Sequence, residues 1–137
     1  MIEQVTIRPA TPKDIPFIFS SWLKSYQDSS FAQSVRKDIY YSEHHALIDT
    51  HIKKGSVFCA VNKTDDEQIF GWISCCLTTP VPSINYIYVK HPFRSLGIAK
   101  ALMAIVPFPY IYTHAPKKQP PTECTFNPYV FYREGIL

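Results

Sequence analysis

Between residues 56 and 89 the chain reads SVFCAVN, then IFGWISCCLTT, then SINYIYV, three runs rich in β-branched and aromatic residues. Only the polar stretch KTDDEQ and the proline-broken PVPS separate them. Connections this short cannot carry a chain back for a parallel partner, so the three runs must form an antiparallel meander. That meander constrains the fold more than any other feature, because every other element has to pack on or beside it.

The flanking segments supply helices. QVTIR at 4–8 reads as a short strand, followed by TPKD at 11–14, a capping-box pattern with Pro12 at the first helical position. Ile15, Ile18, Phe19, Trp22, Leu23 and Tyr26 then recur at helical spacing. Pro16 fits the tolerated first turn if Asp14 is the cap, so the later start is preferred. QDSSFAQS at 27–34 reads as a loop. The spacing predicts a second helical region over about 35–54, with Ile39, Leu47, Ile48 and Ile52 inward, a break capped by Ser42, and Gly55 past its end. After the meander a helix is expected over 96–106, ended by Pro107 and Pro109. YIYTH at 110–114 reads as a further strand, APKKQPPTECTFNP as irregular, and YVFYREGIL closes the chain. The order β-α-α-β-β-β-α-β implies one α/β domain over 1–137, built on a mixed, mainly antiparallel sheet flanked by helices.

Composition narrows the function classes. Apolar residues make up 46% and aromatics 15%, enough for a core, and the formal charge is only +3. A mild positive excess suits a small anionic ligand but makes nucleic acid an unlikely partner, since no dense basic stripe is present. No apolar run approaches a membrane span, and MIEQVTIRPAT lacks the pattern of a signal peptide, so a cytoplasmic protein without a membrane partner is expected. Cys59, Cys75, Cys76 and Cys124 form no C-x-x-C, and adjacent Cys75 and Cys76 should face opposite sides of a strand. Buried free thiols are expected. His44 and His51 share a helix face but lie ~10 Å apart along it, too far for one ion. Together with His45 they are read as helix-surface histidines, and no metal is expected. Trp22 and Trp72 are read as core.

The stretch KHPFRSLGIAK at 90–100 carries the chemistry. A strand ends in a basic turn that opens directly into a helix. The first amides of a helix have no internal partner and carry partial positive charge. Gly97 lets an anion approach the backbone, Ala99 keeps the next turn thin, and Arg94 adds charge, with Lys90 and Lys100 nearby in sequence. This suits a pyrophosphate, although neither a P-loop nor a G-x-G-x-x-G turn is present. Alone, the pattern fits an ordinary helix start equally well.

INYIYVKHPFRSLGIAKALM resembles the acetyl-CoA motif of the GNAT N-acetyltransferase superfamily, in which a strand is followed by [R/Q]-x-x-G-x-[G/A] at a helix start. Arg94, Gly97 and Ala99 fill the three defining positions. IRPATPKDIPFI, IFGWIS and the late FYREGI are similar to the family's opening, its central strand and its [FL]-Y-x-x-x-G-F signature. The resemblance implies a GNAT-like fold with acetyl-CoA as cosubstrate and an amine acceptor, either small molecule or protein. Ile87, Tyr88 and Val89 would serve the pantetheine arm. Arg94, Ser95, Leu96, Gly97, Ile98, Ala99 and Lys100 would serve the phosphates. Lys117 and Lys118 read as a solvated loop, with contact to the 3′-phosphate of coenzyme A as the alternative. Tyr132 would protonate the leaving thiolate, its competing reading being a core tyrosine beside Tyr129 and Phe131.

The departures from the family pattern are equally specific. Relatives often carry a Glu on the strand before the phosphate turn, and here Asn85 lies near that position, so a water relay, Glu43, His114 or Glu123 would have to substitute. Prolines replace the usual helix before the late tyrosine, and Asn127 precedes Tyr132 by only five residues, capping at best one turn from Pro128. The C-terminal part is shortened, similar to that of small phage-encoded members. The acceptor side, expected near 27–34, Asn85 and the C-terminal segment, should be open or completed by a second subunit or a protein target. The implied function is N-acetyl transfer by direct attack on the thioester. The alternative is a catalytically weak binding or inhibitory protein on the same fold.

Overall fold

A computed structural model of the protein describes residues 2–116 and 118–130. Six strands form one sheet in sequential order: β1 (Val5–Pro9), β2 (Ser56–Asn62), β3 (Asp65–Cys76), β4 (Ser83–Val89), β5 (Ile111–Tyr112) and β6 (Thr125–Phe126). The first four are antiparallel, whereas β4–β5 and β5–β6 are parallel. β2 and β4 coincide with the strands expected from their sequence. β3 begins earlier than expected. Its polar start, DDEQ, continues the β2 hairpin as far as the pair Asn62–Asp65, so only Lys63 and Thr64 make the turn.

On one face of the sheet lie α1 (Ile15–Tyr26) and α3 (Lys37–Lys54). Asp14 occupies the N-cap position of α1 and Pro16 falls in its first turn, as preferred from the sequence, although the Asp14 side chain makes no cap hydrogen bond to the helix. The Asp14 carboxylate turns back to Thr11 N–H (2.7 Å) and to the Arg8 guanidinium (2.7 and 3.2 Å), which joins β1 to the helix start. Residues 27–34 are more ordered than a loop: Ser29 accepts a hydrogen bond from Ala32 N–H and caps the single-turn helix α2 (Ser30–Gln33).

α3 runs unbroken through Ser42, and its inward face differs from the expected one. Tyr40, His44, Ile48 and His51 are buried, while Ile39 is 45% exposed. The expectation of surface histidines holds for His45 and fails for His44 and His51. Their rings stack against other rings, His44 on Tyr26 and Tyr40 and His51 on Trp22, and flat aromatic contact makes a polar ring part of the core. Ile18, Trp22 and Trp72, all fully enclosed, centre this core.

The opposite face is covered by α4 (Ile98–Met103), shorter than the helix expected over 96–106. Ile98 and Leu102 pack on Phe70, Ile73, Cys75, Ile84 and Val89. Cys75 belongs to this core, and its neighbour Cys76 packs instead against Val130. All four cysteines are free and buried. The strand expected at 110–114 is paired only over Ile111–Tyr112. Among the described residues, no helix is long and apolar enough to cross a membrane.

Candidate functional site

β4 is paired with β3 along its whole length, but with β5 only at Ser83–Ile111 and Ile84–Tyr112. A last bond runs from Thr113 N–H to Ile84 C=O (3.1 Å). Past that point, among the described residues, the β5-side edge of β4 has no strand beside it. The register of β4 against β3 also slips there, leaving Asn85 unpaired between Ile84 and Tyr86. A cavity of about 1000 Å³ follows this open edge. β4 from Ile84 to Val89 and the turn beyond it line one side, residues of 110–116 with Lys118 and Pro120 another, and residues of 25–31, around the start of α2, a third.

The basic turn lies at one end. Ser95 and Gly97 both have positive φ, 63° and 87°. The first backbone hydrogen bond of the helix runs from Ala101 N–H to Gly97 C=O (3.0 Å), so the amides of Ser95 to Lys100 precede the helical ladder. Arg94 is anchored: its Nε donates to Val89 C=O (2.8 Å) and its guanidinium lies 5.9 Å from the Tyr88 ring centre. This locks the side chain at the cavity's mouth, with its two terminal nitrogens free of protein hydrogen bonds among the described residues. Lys100 and Lys118 also line the cavity, whereas Lys90 sits with its Nζ 5.0 Å from the Phe17 ring centre.

Of the site residues expected from sequence, Asn85, Ile87, Tyr88, Val89, Arg94, Ser95, Gly97, Ile98, Ala99 and Lys100 meet at this one cavity. Leu96 and Asn127 are not among its lining. Leu96 is exposed, and Asn127, expected among the cofactor-binding residues, accepts at Oδ1 from Tyr129 N–H (3.0 Å) while its own N–H donates to Tyr112 C=O (3.0 Å). Tyr132 and Lys117 lie outside the described residues. Asn85 is 1% exposed and bound on both sides of its amide: Nδ2 donates to Ser74 Oγ (3.1 Å), and Oδ1 accepts from Thr113 Oγ1 (3.2 Å).

Among the substitutes for a strand carboxylate, Glu43 and Glu123 are exposed and do not line the cavity, while His114 does. Both ring nitrogens of His114 are engaged, Nδ1 with Thr113 Oγ1 (3.1 Å) and Nε2 with His44 Nε2 (3.0 Å). Burial holds its pKa well below the usual histidine value, assisted by His44 and His51 nearby. Sequence reasoning missed Tyr26 and Tyr86 as parts of the site. Burial raises the pKa of both hydroxyls, so both stay protonated, and Tyr86 Oη pairs with Ser25 Oγ at 2.8 Å. The only prior signal for Tyr26 was its place on the apolar face of α1. Asp28 is the one carboxylate lining the cavity among the described residues.

A mixed sheet whose fourth and fifth strands part around a cavity, with a basic helix-opening turn at one end, defines an acyltransferase-type fold. The acetyltransferase (GNAT) family model matches residues 17–106, and the chain belongs to that family. The match begins within α1, runs through α4 and the basic turn, and stops before β5. No curated protein sequence matches the chain. Among solved structures it is similar to a candidate acetyl transferase from Pyrococcus furiosus at 22% identity, covering 96% of this chain and 90% of that one with a TM-score of 0.59. It is also similar to a structure described as histone acetyltransferase HPA2 and related acetyltransferase from Corynebacterium glutamicum, at 16% identity, 74% and 69% coverage and a TM-score of 0.58. At these identities the likeness bears on the fold.

Proposed function

We propose that the chain is a single-domain cytoplasmic enzyme that transfers an acetyl group from acetyl-CoA to an amine. The reading is carried by one observation: a single cavity joins the basic turn at 94–100, the open edge of β4 and the acceptor-side residues 25–31. Arg94 and the amides of Ser95 to Lys100 suit the pyrophosphate, with Lys118 available to a further phosphate. The edge of β4 from Val89 back to Ile84, about 17 Å of strand, suits an extended arm with amide groups. The thioester end then falls where β4 and β5 join, beside Asn85 and His114. In the reaction the amine nitrogen forms a bond to the carbonyl carbon while the carbon–sulfur bond breaks. Coenzyme A leaves as a thiolate, and the amine gives up a proton to water or a base. In this placement the amide near Val89 lies at the phosphate end, so a β4 amide nearer Asn85 is proposed as the donor to the carbonyl oxygen, and Tyr132 as the proton source for the thiolate.

One observation favours a second reading, a binding or inhibitory protein. No carboxylate stands on β4, and His114, the histidine at the cavity, has both nitrogens occupied. Calorimetric titration with acetyl-CoA, followed by thiol release in the presence of an amine panel, separates the two. Binding with turnover supports the enzyme, binding without turnover supports the second reading, and absence of binding overturns the enzyme reading and the phosphate-site account of the basic turn. For the enzyme, Tyr132→Phe should slow thiol release with acetyl-CoA affinity unchanged, and equal turnover would remove Tyr132 from the reaction.

A further inference from the structure

A chain of hydrogen bonds crosses the core at the place where β4 and β5 part. It runs His44–His114–Thr113–Asn85–Ser74, with separations of 3.0, 3.1, 3.2 and 3.1 Å. It links α3, the residues just after β5, the unpaired residue of β4, and β3. Donor counting fixes its direction. The Asn85 amide oxygen can only accept, so it takes the single hydrogen of Thr113 Oγ1. Thr113 Oγ1 must then accept from His114 Nδ1–H. A neutral His114 is left with a bare Nε2, so the hydrogen in the last contact comes from His44 Nε2–H. His44 thus terminates the chain as its obligatory donor, with its ring clamped between Tyr26 and Tyr40 at 5.1 and 5.0 Å.

We infer that His44 is a positioning residue for acyl transfer: acting through His114, Thr113 and Asn85, it fixes the separation of β4 and β5 where the acyl end of the donor would sit. The inference rests on the acetyl-CoA reading above. β5 contributes only two paired residues, too few to hold that separation by themselves. The chain supplies the missing tie, because a broken link leaves a buried polar atom without a partner. His44 does not touch the cavity, so its effect is transmitted. The groups facing the two imidazoles are Trp22 and Tyr26 from α1, Tyr40 and His51 from α3, and Tyr86 from β4, with no carboxylate among the described residues.

The test compares coenzyme A and acetyl-CoA as calorimetric probes of the wild type, His44→Phe and His44→Gln. Phenylalanine keeps the stacking and loses the donor, and glutamine restores an N–H at similar reach. The wild type is expected to bind acetyl-CoA more tightly than coenzyme A. His44→Phe should lower acetyl-CoA affinity by about tenfold, the value of one hydrogen bond, and leave coenzyme A affinity within about twofold. His44→Gln should recover most of the loss. Equal affinities for the two probes in the wild type, unchanged binding in His44→Phe, or an equal loss for both probes would each overturn the inference while leaving the acetyl-CoA reading in place. A wild type that binds neither probe would overturn that reading, and the inference with it. If His44→Phe does not fold, ring nitrogen shifts of the wild type decide: hydrogens on Nε2 of His44 and Nδ1 of His114 support the chain, and the opposite tautomers overturn it.

Discussion

His44, His51 and His114 are surrounded by aromatic rings, and this sets the response to acid. Burial holds His44 at about 4 and His51 at about 3, with His114 well below its usual value. In the unfolded chain all three titrate near ~6.5. The unfolded state therefore binds more protons than the folded state below that pH, so stability falls as pH drops from about 6.5 toward 4. His44 alone contributes on the order of 3 kcal/mol of this loss. Asp14 adds to it at lower pH, because its hydrogen bond to Arg8 depresses its carboxyl and that stability is lost on protonation. Urea denaturation midpoints measured from pH 7 to pH 4.5 should fall steadily, and His44→Phe should flatten the profile by the share of one proton. A midpoint independent of pH over this range would contradict the burial of the three rings.

At the scale of elements, two glycines do opposite work on either side of β4. Gly97 holds φ of 87° in open space, with nothing within 4 Å of an added Cβ, so Gly97→Ala costs backbone strain alone, about 1–2 kcal/mol. A Cβ on Gly71 would meet Tyr88 C=O at 2.5 Å and Val89 Cα at 3.1 Å, forcing β3 and β4 apart. Gly97→Ala should weaken coenzyme A binding several-fold and lower the melting temperature by no more than its strain cost, a few degrees. Gly71→Ala should lower the melting temperature by several degrees or more, corresponding to a loss above about 2 kcal/mol. Calorimetric titration and thermal denaturation read the two effects separately. The same elements show what sequence could and could not give. β2, β4 and the basic turn were legible because their signals are contiguous: alternating strand residues, proline punctuation and R-S-L-G-I-A. The inward face of α3 was misread because Tyr40, His44 and His51 count as polar until other rings stack on them. The cavity wall away from the basic turn was legible only in outline, because it is assembled from residues of 25–31, Asn85, 114–116, Lys118 and Pro120, which nothing in the local pattern connects.

In the molecule as a whole, one sheet serves two cores. Ile18 and Trp22 fill the α1/α3 side, and Ile98 and Leu102 the α4 side. Ile18→Ala and Leu102→Ala should each cost about 2–5 kcal/mol. Because both cores share β2 to β4, each variant should still melt in one transition, with circular dichroism and calorimetry coincident. Two separated transitions would show that the faces unfold independently. The uneven pairing of the sheet has a further consequence. β1 to β4 are tied by long ladders, whereas β5 and β6 are each held by two residues. Edges of this kind open at a free-energy cost well below global unfolding. The amide hydrogen of Thr125, outside the tie through Thr113, should therefore exchange with solvent much faster than those of Cys59 or Trp72, and acetyl-CoA should slow it selectively. Access to the cavity would then be governed by local opening of its weakest seam, with no hinged lid required.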